Sequence, residues 1–295
     1  KERCPLTRRN NSDRVGAPHP DSTEAPDAFE TEPARDPLAF IVPTEFVRLP
    51  SAGLYYPEGH PLHGEEAIEI KFMTAKEEDL LSSRGLIEKG IVLDRLIDSL
   101  LVNKRIRSRD LLVSDRNAIL IQARASGYGT DYTTAISCRN CGESHKYAYD
   151  LNEAIVQTPL SSEELASAGV TYLGDNKFSV EVPDSPVHVA FRLLNGHDER
   201  SMVELAEKRK KKKQSDRLVT DQLNFMLVSV LDHEDREVIS KYVDSLPLRD
   251  SRFLRKVYDS VSPSVTLRKE FVCVHCDHED DITFPFTTDF FWPDV

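Results

Sequence analysis

The chain has 295 residues, 39% hydrophobic and 30% charged, and its fifty acidic against thirty-eight basic side chains leave a formal charge of −12. That length gives room for one large or two modest domains with a real core, and the longest apolar runs fall far short of a bilayer span, so a transmembrane chain is not expected. The negative charge opposes non-specific attraction to phosphate backbones.

The sequence opens Lys1-Glu2-Arg3-Cys4, with no initiator Met and no apolar stretch behind the charges, so a secretory signal is not expected. Residues 1–38 mix Pro, Asp, Glu, Ser and Arg without helical or strand periodicity, and they read as a flexible arm that orders only against a partner. From Ala39 short apolar pieces stopped by proline read as extended chain with turns, through Ser51-Ala52-Gly53-Leu54-Tyr55-Tyr56-Pro57. Ile68, Ile70 and Phe72 alternate with Glu69 and Lys71, the pattern of a half-exposed strand.

Thr74-Ala75-Lys76-Glu77 is a capping box that should start a helix, with Leu80 and Leu81 on its apolar side. Gly85 and Gly90 then bracket a linker. Ile91, Leu93, Leu96, Ile97, Leu100 and Leu101 recur at helical spacing. Ser114 is expected to cap a further helix over 115–126 that ends at Gly127. The helical module therefore spans about 74–126, and Gly127-Tyr128-Gly129 reads as a turn.

Tyr132 to Ser137 and His145 to Tyr149 are strand-like runs on either side of a CxxC, so they should form a hairpin with the cysteines at its tip. Ser161 to Leu165 reads as a short helix. Phe178 to Val182 and Val187 to Phe191 alternate around Pro183-Asp184-Ser185-Pro186, as a second hairpin would. Helical segments are expected near 198–213, 220–232, 234–244 and 249–260. The section 265–290 repeats the strand, CxxC, strand layout.

Those two pairs, Cys138/Cys141 and Cys273/Cys276, carry the main chemistry. Two residues between thiolates allow a tight turn to aim both sulfurs at one ion, and two such knuckles complete the tetrahedron of a structural zinc site at about 2.3 Å per bond. Cys4 is the only other cysteine in the sequence. Redox CxxC motifs sit at strand-to-helix junctions, which neither pair shows, and the cysteine usage suits a reducing cytosol. One zinc per chain would close a loop with 131 residues between Cys141 and Cys273, removing roughly 5 kcal/mol of unfolded-state freedom by the chain-entropy estimate for crosslinks. Four cysteines leave no open ligand position, so the metal is expected to be structural rather than catalytic. His275 and His278 lie in the second knuckle, but four cysteines already fill the coordination.

Other candidates read as ordinary surface. His60, His63, Glu65 and Glu66 could bind a metal by composition, yet they fit an exposed loop before a strand. The run Lys208-Arg209-Lys210-Lys211-Lys212-Lys213 suits the C-terminal end of a helix, where the dipole favours positive charge. No Walker loop, nucleophile elbow, HExxH or dinucleotide fingerprint occurs in the sequence, so no catalytic residue, no cofactor besides zinc and no small-molecule substrate is expected. A zinc-ribbon nucleic-acid-binding regulator is the alternative, but Asp277-His278-Glu279-Asp280-Asp281 would repel a phosphate backbone.

Three stretches carry a family resemblance: Leu49-Pro50-Ser51-Ala52-Gly53-Leu54-Tyr55-Tyr56-Pro57, then Met73-Thr74-Ala75-Lys76-Glu77-Glu78-Asp79-Leu80-Leu81, then Leu111-Leu112-Val113-Ser114-Asp115-Arg116-Asn117-Ala118-Ile119-Leu120. With the first knuckle and, more loosely, the closing Phe290-Phe291-Trp292-Pro293, they resemble the baseplate hub proteins of T-even-type contractile-tailed bacteriophages. The resemblance implies a non-enzymatic protein of tail assembly that contacts other tail or baseplate proteins in the host cytoplasm during assembly, either built into the virion tail baseplate or acting on hub components while they assemble. It covers about 41–150; nothing in the arm or in the helical region 198–260 is matched by it.

The expected fold is α+β. Residues 39–150 supply a helical module and the first knuckle, 151–264 form an α/β insertion with its own hairpin and helices, and 265–295 supply the second knuckle and tail, giving a zinc ribbon split by the insertion.

Overall fold

A computed structural model describes residues 42–185, 187–283 and 290–291. The arm expected over 1–38, Cys4 and the Trp292-Pro293 end lie outside these described residues. The described part is a mixed helix and sheet structure, with small antiparallel sheets linked by helices around one contiguous apolar core.

β1 (Thr44–Arg48) and β2 (Ala67–Lys71) pair antiparallel with Val47 opposite Ile68. Alternation buries Val47, Ile68 and Ile70 and leaves Phe46 exposed on the other face. The connection between them folds back on itself: Leu49 N–H donates to Glu66 O at 2.8 Å, and Gly64 N–H to Gly53 O at 3.0 Å. Its Leu49, Tyr55, Tyr56 and Leu62 are all buried, so the stretch read as extended chain with turns has the turns but closes into a compact, cored loop. Gly53 makes the fold-back possible, because its φ is +70° and a Cβ there would meet backbone atoms of Leu62 and Glu65.

Helices α1 (Ala75–Leu81), α2 (Arg84–Glu88), α3 (Val92–Leu100) and α4 (Val113–Tyr128) follow. The Glu77 carboxylate reaches back to Thr74, accepting its N–H at 3.0 Å, and takes the Ser99 hydroxyl of α3 at 2.5 Å. The expected linker between Gly85 and Gly90 is instead the short helix α2, since Leu86 and Ile87 have the core to pack on. α4 begins at Val113, so Ser114 lies inside it rather than capping it. Tertiary bonds set this start. Leu112 N–H donates to Tyr56 Oη at 3.1 Å, and the buried Asp115 carboxylate accepts Ser51 N–H at 3.0 Å and the Ser51 and Tyr56 hydroxyls at 2.6 Å each. Gly127 does not end the helix either; it continues to Tyr128, and a Cβ at 127 would strike the methyl of Met73.

β3 (Asp131–Ser137) and β4 (Ser144–Asp150) form the expected hairpin, with Tyr132 opposite Tyr149 and Ile136 opposite His145. A single helical turn leads to β5 (Ile155–Gln157) and to α5 (Ser162–Ser167), whose Ser161–Glu164 capping box is formed. β6 (Val170–Gly174), β7 (Lys177–Glu181), β8 (His188–Phe191) and β9 (Leu227–Val230) make one antiparallel sheet in that order. The expected second hairpin is its middle pair. Residues 227–230, expected to be helical, are instead a strand: α7 (Leu218–Met226) stops, and the Leu-Val-Ser-Val run pairs with β8, burying Leu227 and Val230. Pairing with a neighbour outweighs local helical periodicity there.

α6 (Gly196–Lys211), α8 (Arg236–Ser245) and α9 (Leu248–Val261) complete the helices of this region. Tyr258 of α9 stands 6.3 Å from the Phe191 ring and accepts the Leu194 N–H at 3.1 Å. α6 closes against the helical module. Buried Arg116 of α4 pairs with Asp94 of α3 at 2.7 Å and with Glu199 of α6 at 3.2 Å, and Val113 N–H donates to Leu194 O at 3.1 Å. Finally β10 (Ser264–Thr266) returns beside β5, Thr266 opposite Ile155, and delivers the chain to β11 (Arg268–Val272) and β12 (Glu279–Thr283). Buried Arg124 donates to Phe290 O at 2.9 Å and thereby holds Phe290 near Tyr132, whose rings lie 4.9 Å apart.

Candidate metal centre

Each cysteine pair sits in the turn of a two-stranded hairpin, one between β3 and β4 and the other between β11 and β12. The two turns are built alike. In the first, Cys138 N–H donates to Glu143 O at 2.8 Å and Gly142 N–H to Cys138 O at 2.9 Å; in the second, Cys273 N–H donates to His278 O and Asp277 N–H to Cys273 O, both at 2.9 Å. The residue after the second cysteine has a left-handed backbone in both, φ 76° at Gly142 and 54° at Asp277. Glycine adopts this freely, and Asp is among the few side chains that tolerate it.

The four sulfurs of Cys138, Cys141, Cys273 and Cys276 lie within 4.8 Å of one another. The cross-hairpin pairs Cys138–Cys276 and Cys141–Cys273 are each 3.7 Å apart. A regular tetrahedron with metal–sulfur bonds of about 2.3 Å has edges of about 3.8 Å, so the donor set fits a zinc-sized ion. Cys138 and Cys273 are buried, Cys276 is half-buried and Cys141 is exposed. This group is made of sulfur alone: neither His275 nor His278 belongs to it.

The thiols are unequal. The Cys141 amide lowers the Cys138 pKa against the effect of burial. The Asn140 side-chain amide and the His278 amide bring Cys276 down to about 7. Cys141, although the Glu143 amide favours its thiolate, is pushed up to about 12 by burial and by the other three thiols. Four thiols this close cannot all ionise on their own, and a divalent cation is what would let them.

The two hairpins also touch outside the sulfurs. Asn140 Nδ2 stands 3.6 Å from Cys276 Sγ, and His145 Nε2 stands 3.3 Å from Cys273 Sγ. Arg139 pairs with Asp280 at 3.3 Å, Tyr147 Oη donates to Glu270 O at 3.2 Å, and Lys269 pairs with Glu153 at 3.1 Å. Reading the sequence pointed to none of these contacts, because each joins positions more than a hundred residues apart.

The other sequence candidates stand elsewhere. His60 stacks on Tyr56 with ring centroids 4.6 Å apart, and burial lowers its pKa. His63 Nδ1 lies 2.7 Å from Tyr56 O. Glu65 and Glu66 are exposed. In the basic run, Arg209 makes a two-pronged ion pair with Asp221 of α7, while Lys208 and Lys210 to Lys213 are exposed at the end of α6. Among the described residues no helix is long and apolar enough to cross a membrane.

No curated protein and no solved structure matches the chain. A family model described as T4 bacteriophage base plate protein does match, over residues 60–292. The match runs from the loop before β2, through both hairpins, to residue 292, and the chain belongs to this family of phage baseplate proteins.

Proposed function

We propose that the protein is a baseplate hub component or hub assembly factor that acts through protein–protein contact and without catalysis, using one zinc ion structurally. The family match over 60–292 is the observation that carries this reading. Its partners are other tail and baseplate proteins, met in the host cytoplasm during assembly. The zinc is held by Cys138, Cys141, Cys273 and Cys276 and would neutralise part of the charge of four thiolates. It ties the hairpin β3–β4 to the hairpin β11–β12, making one ribbon from two distant segments. The segment 151–264 is then an insertion, and the antiparallel pairing of β5 with β10 at its two ends supports that division. An acidic second knuckle and a net charge of −12 speak against a nucleic-acid-binding regulator.

The test is mass spectrometry of purified mature virions, joined to capture of partners from infected cells by the tagged protein. Presence in virions with baseplate proteins as partners supports a built-in hub part; absence from virions with the same partners identifies an assembly factor. Capture of no tail protein, together with tight sequence-selective nucleic-acid binding at physiological salt, would overturn the proposal.

A further inference from the structure

His145 lies on β4 opposite Ile136, three residues past the first turn's Gly142, yet its Nε2 stands 3.3 Å from the sulfur of Cys273 on the other hairpin. Cys273 is fully buried, so water cannot take the place of that contact. The imidazole also leans on Phe271 of β11, ring centroids 5.9 Å apart, which fixes its approach. A thiolate bound to a metal has no proton to give. The hydrogen between the two atoms must therefore sit on nitrogen, and the ring then donates N–H to sulfur.

Four thiolates around one divalent cation carry a surplus of two negative charges, and hydrogen bonds to the sulfurs are the protein's means of holding that surplus in a partly buried site. Asn140 supplies such a donor to Cys276 from the first hairpin, and His145 supplies one to Cys273. Both donors belong to the first hairpin and both acceptors to the second. The geometry points to His145 as a positioning residue of the metal centre: its Nε2–H donates to the ligated Cys273 thiolate, strengthening metal retention and setting the angle of the second hairpin. This rests on the zinc reading above.

The experiment compares wild type with His145→Phe, which keeps the ring against Phe271 but cannot donate, and with His145→Gln, whose amide nitrogen occupies the place of Nε2. Zinc affinity is measured by competition with a chromophoric chelator, and the cobalt-substituted proteins are compared by their thiolate-to-cobalt charge-transfer bands. His145→Phe should lose about 10–100-fold in zinc affinity and shift those bands, while His145→Gln should restore both. Nitrogen-15 spectra of the zinc-loaded wild type should show a proton on Nε2 of His145, and this measurement stands even where a variant fails to fold. Equal affinity and unchanged bands in His145→Phe, or an Nε2 without a proton, would overturn the inference. A wild-type protein that holds neither zinc nor cobalt would instead overturn the zinc reading itself.

Discussion

Gly53 is the position where a single added methyl group should do most harm. Its backbone is left-handed at φ +70°, and a Cβ would press into backbone atoms of Leu62 and Glu65 that cannot rotate away as a side chain could. Gly64 is the internal control, with φ +73° and nothing within 4 Å of where its Cβ would stand. The two glycines are joined by the Gly64 N–H to Gly53 O bond, so they belong to the same fold-back. Gly64→Ala should therefore cost only the left-handed strain, about 1–2 kcal/mol. Gly53→Ala carries that strain plus the displacement of packed backbone, worth about 1–3 kcal/mol more. For a chain of this size each kcal/mol lowers Tm by about 2–4 °C, so Gly53→Ala should melt about 2–12 °C below Gly64→Ala. The displacement also disturbs Ser51, whose hydroxyl accepts Gly53 N–H at 3.2 Å and donates to Asp115 at 2.6 Å. Thermal unfolding followed by circular dichroism measures the difference directly. Equal melting of the two variants would refute the argument that the loop 49–66 is packed tightly against its own backbone.

Cys273→Ser should abolish binding of one zinc per chain and lower Tm sharply, and elemental analysis of protein purified without chelator decides it; a wild type free of metal would refute the site. Burial raises the Asp115 pKa despite the bonds from Ser51 and Tyr56. Its contribution to stability is thus fully present below the unfolded value of about 3.9 and is lost as pH rises through the higher folded value. Asp115→Asn should flatten that part of the stability profile in urea titrations made across acidic pH. Arg124→Met would leave the carbonyls of Phe290 and Gly129 without this donor, and it should cost about 2–4 kcal/mol and speed carboxypeptidase digestion from the C-terminal end. Replacing Lys210 to Lys213 by Ser should leave particle assembly largely intact, as counted by infectious titre in a complementation assay, because these side chains are exposed at the end of α6.

Local periodicity reads well where an element's neighbours agree with it. The alternation of Ile68 and Ile70, the Thr74 box, the short helix after Ser161, the 92–100 helix and both cysteine hairpins all appear in the structure close to where the sequence places them. The misses share one cause, which is contact with chain far away. Ser114 resembles a cap, but Tyr56 and Ser51 fix the start of α4 from some sixty residues upstream. Gly127 resembles a stop, but it is small because Met73 packs there. The run at 227–230 continues a helical pattern until β8 offers it an edge. At the cysteine cluster the four side chains were legible as a group because their spacing is local twice over. Asn140 and His145 were not, since an ordinary Asn in a turn and an ordinary His on a strand acquire meaning only when the second hairpin arrives.

That arrival has a schedule. Cys141 precedes Cys273 by 132 positions, and at synthesis rates of about 5–20 residues per second the first knuckle waits roughly 7–26 s before its partner exists. During that interval Cys138 and Cys141 are two neighbouring thiols on a nascent hairpin, able to take up a stray soft cation or to oxidise together. In the folded protein burial and the other three thiols push the Cys141 thiol up to about 12, and of those three only Cys138 has been made at that stage. On the zinc reading proposed above, assembly of the site needs these thiols kept reduced during translation, and cells stressed by oxidants or cadmium while making this chain should yield protein whose first cysteine pair is oxidised or cadmium-bound.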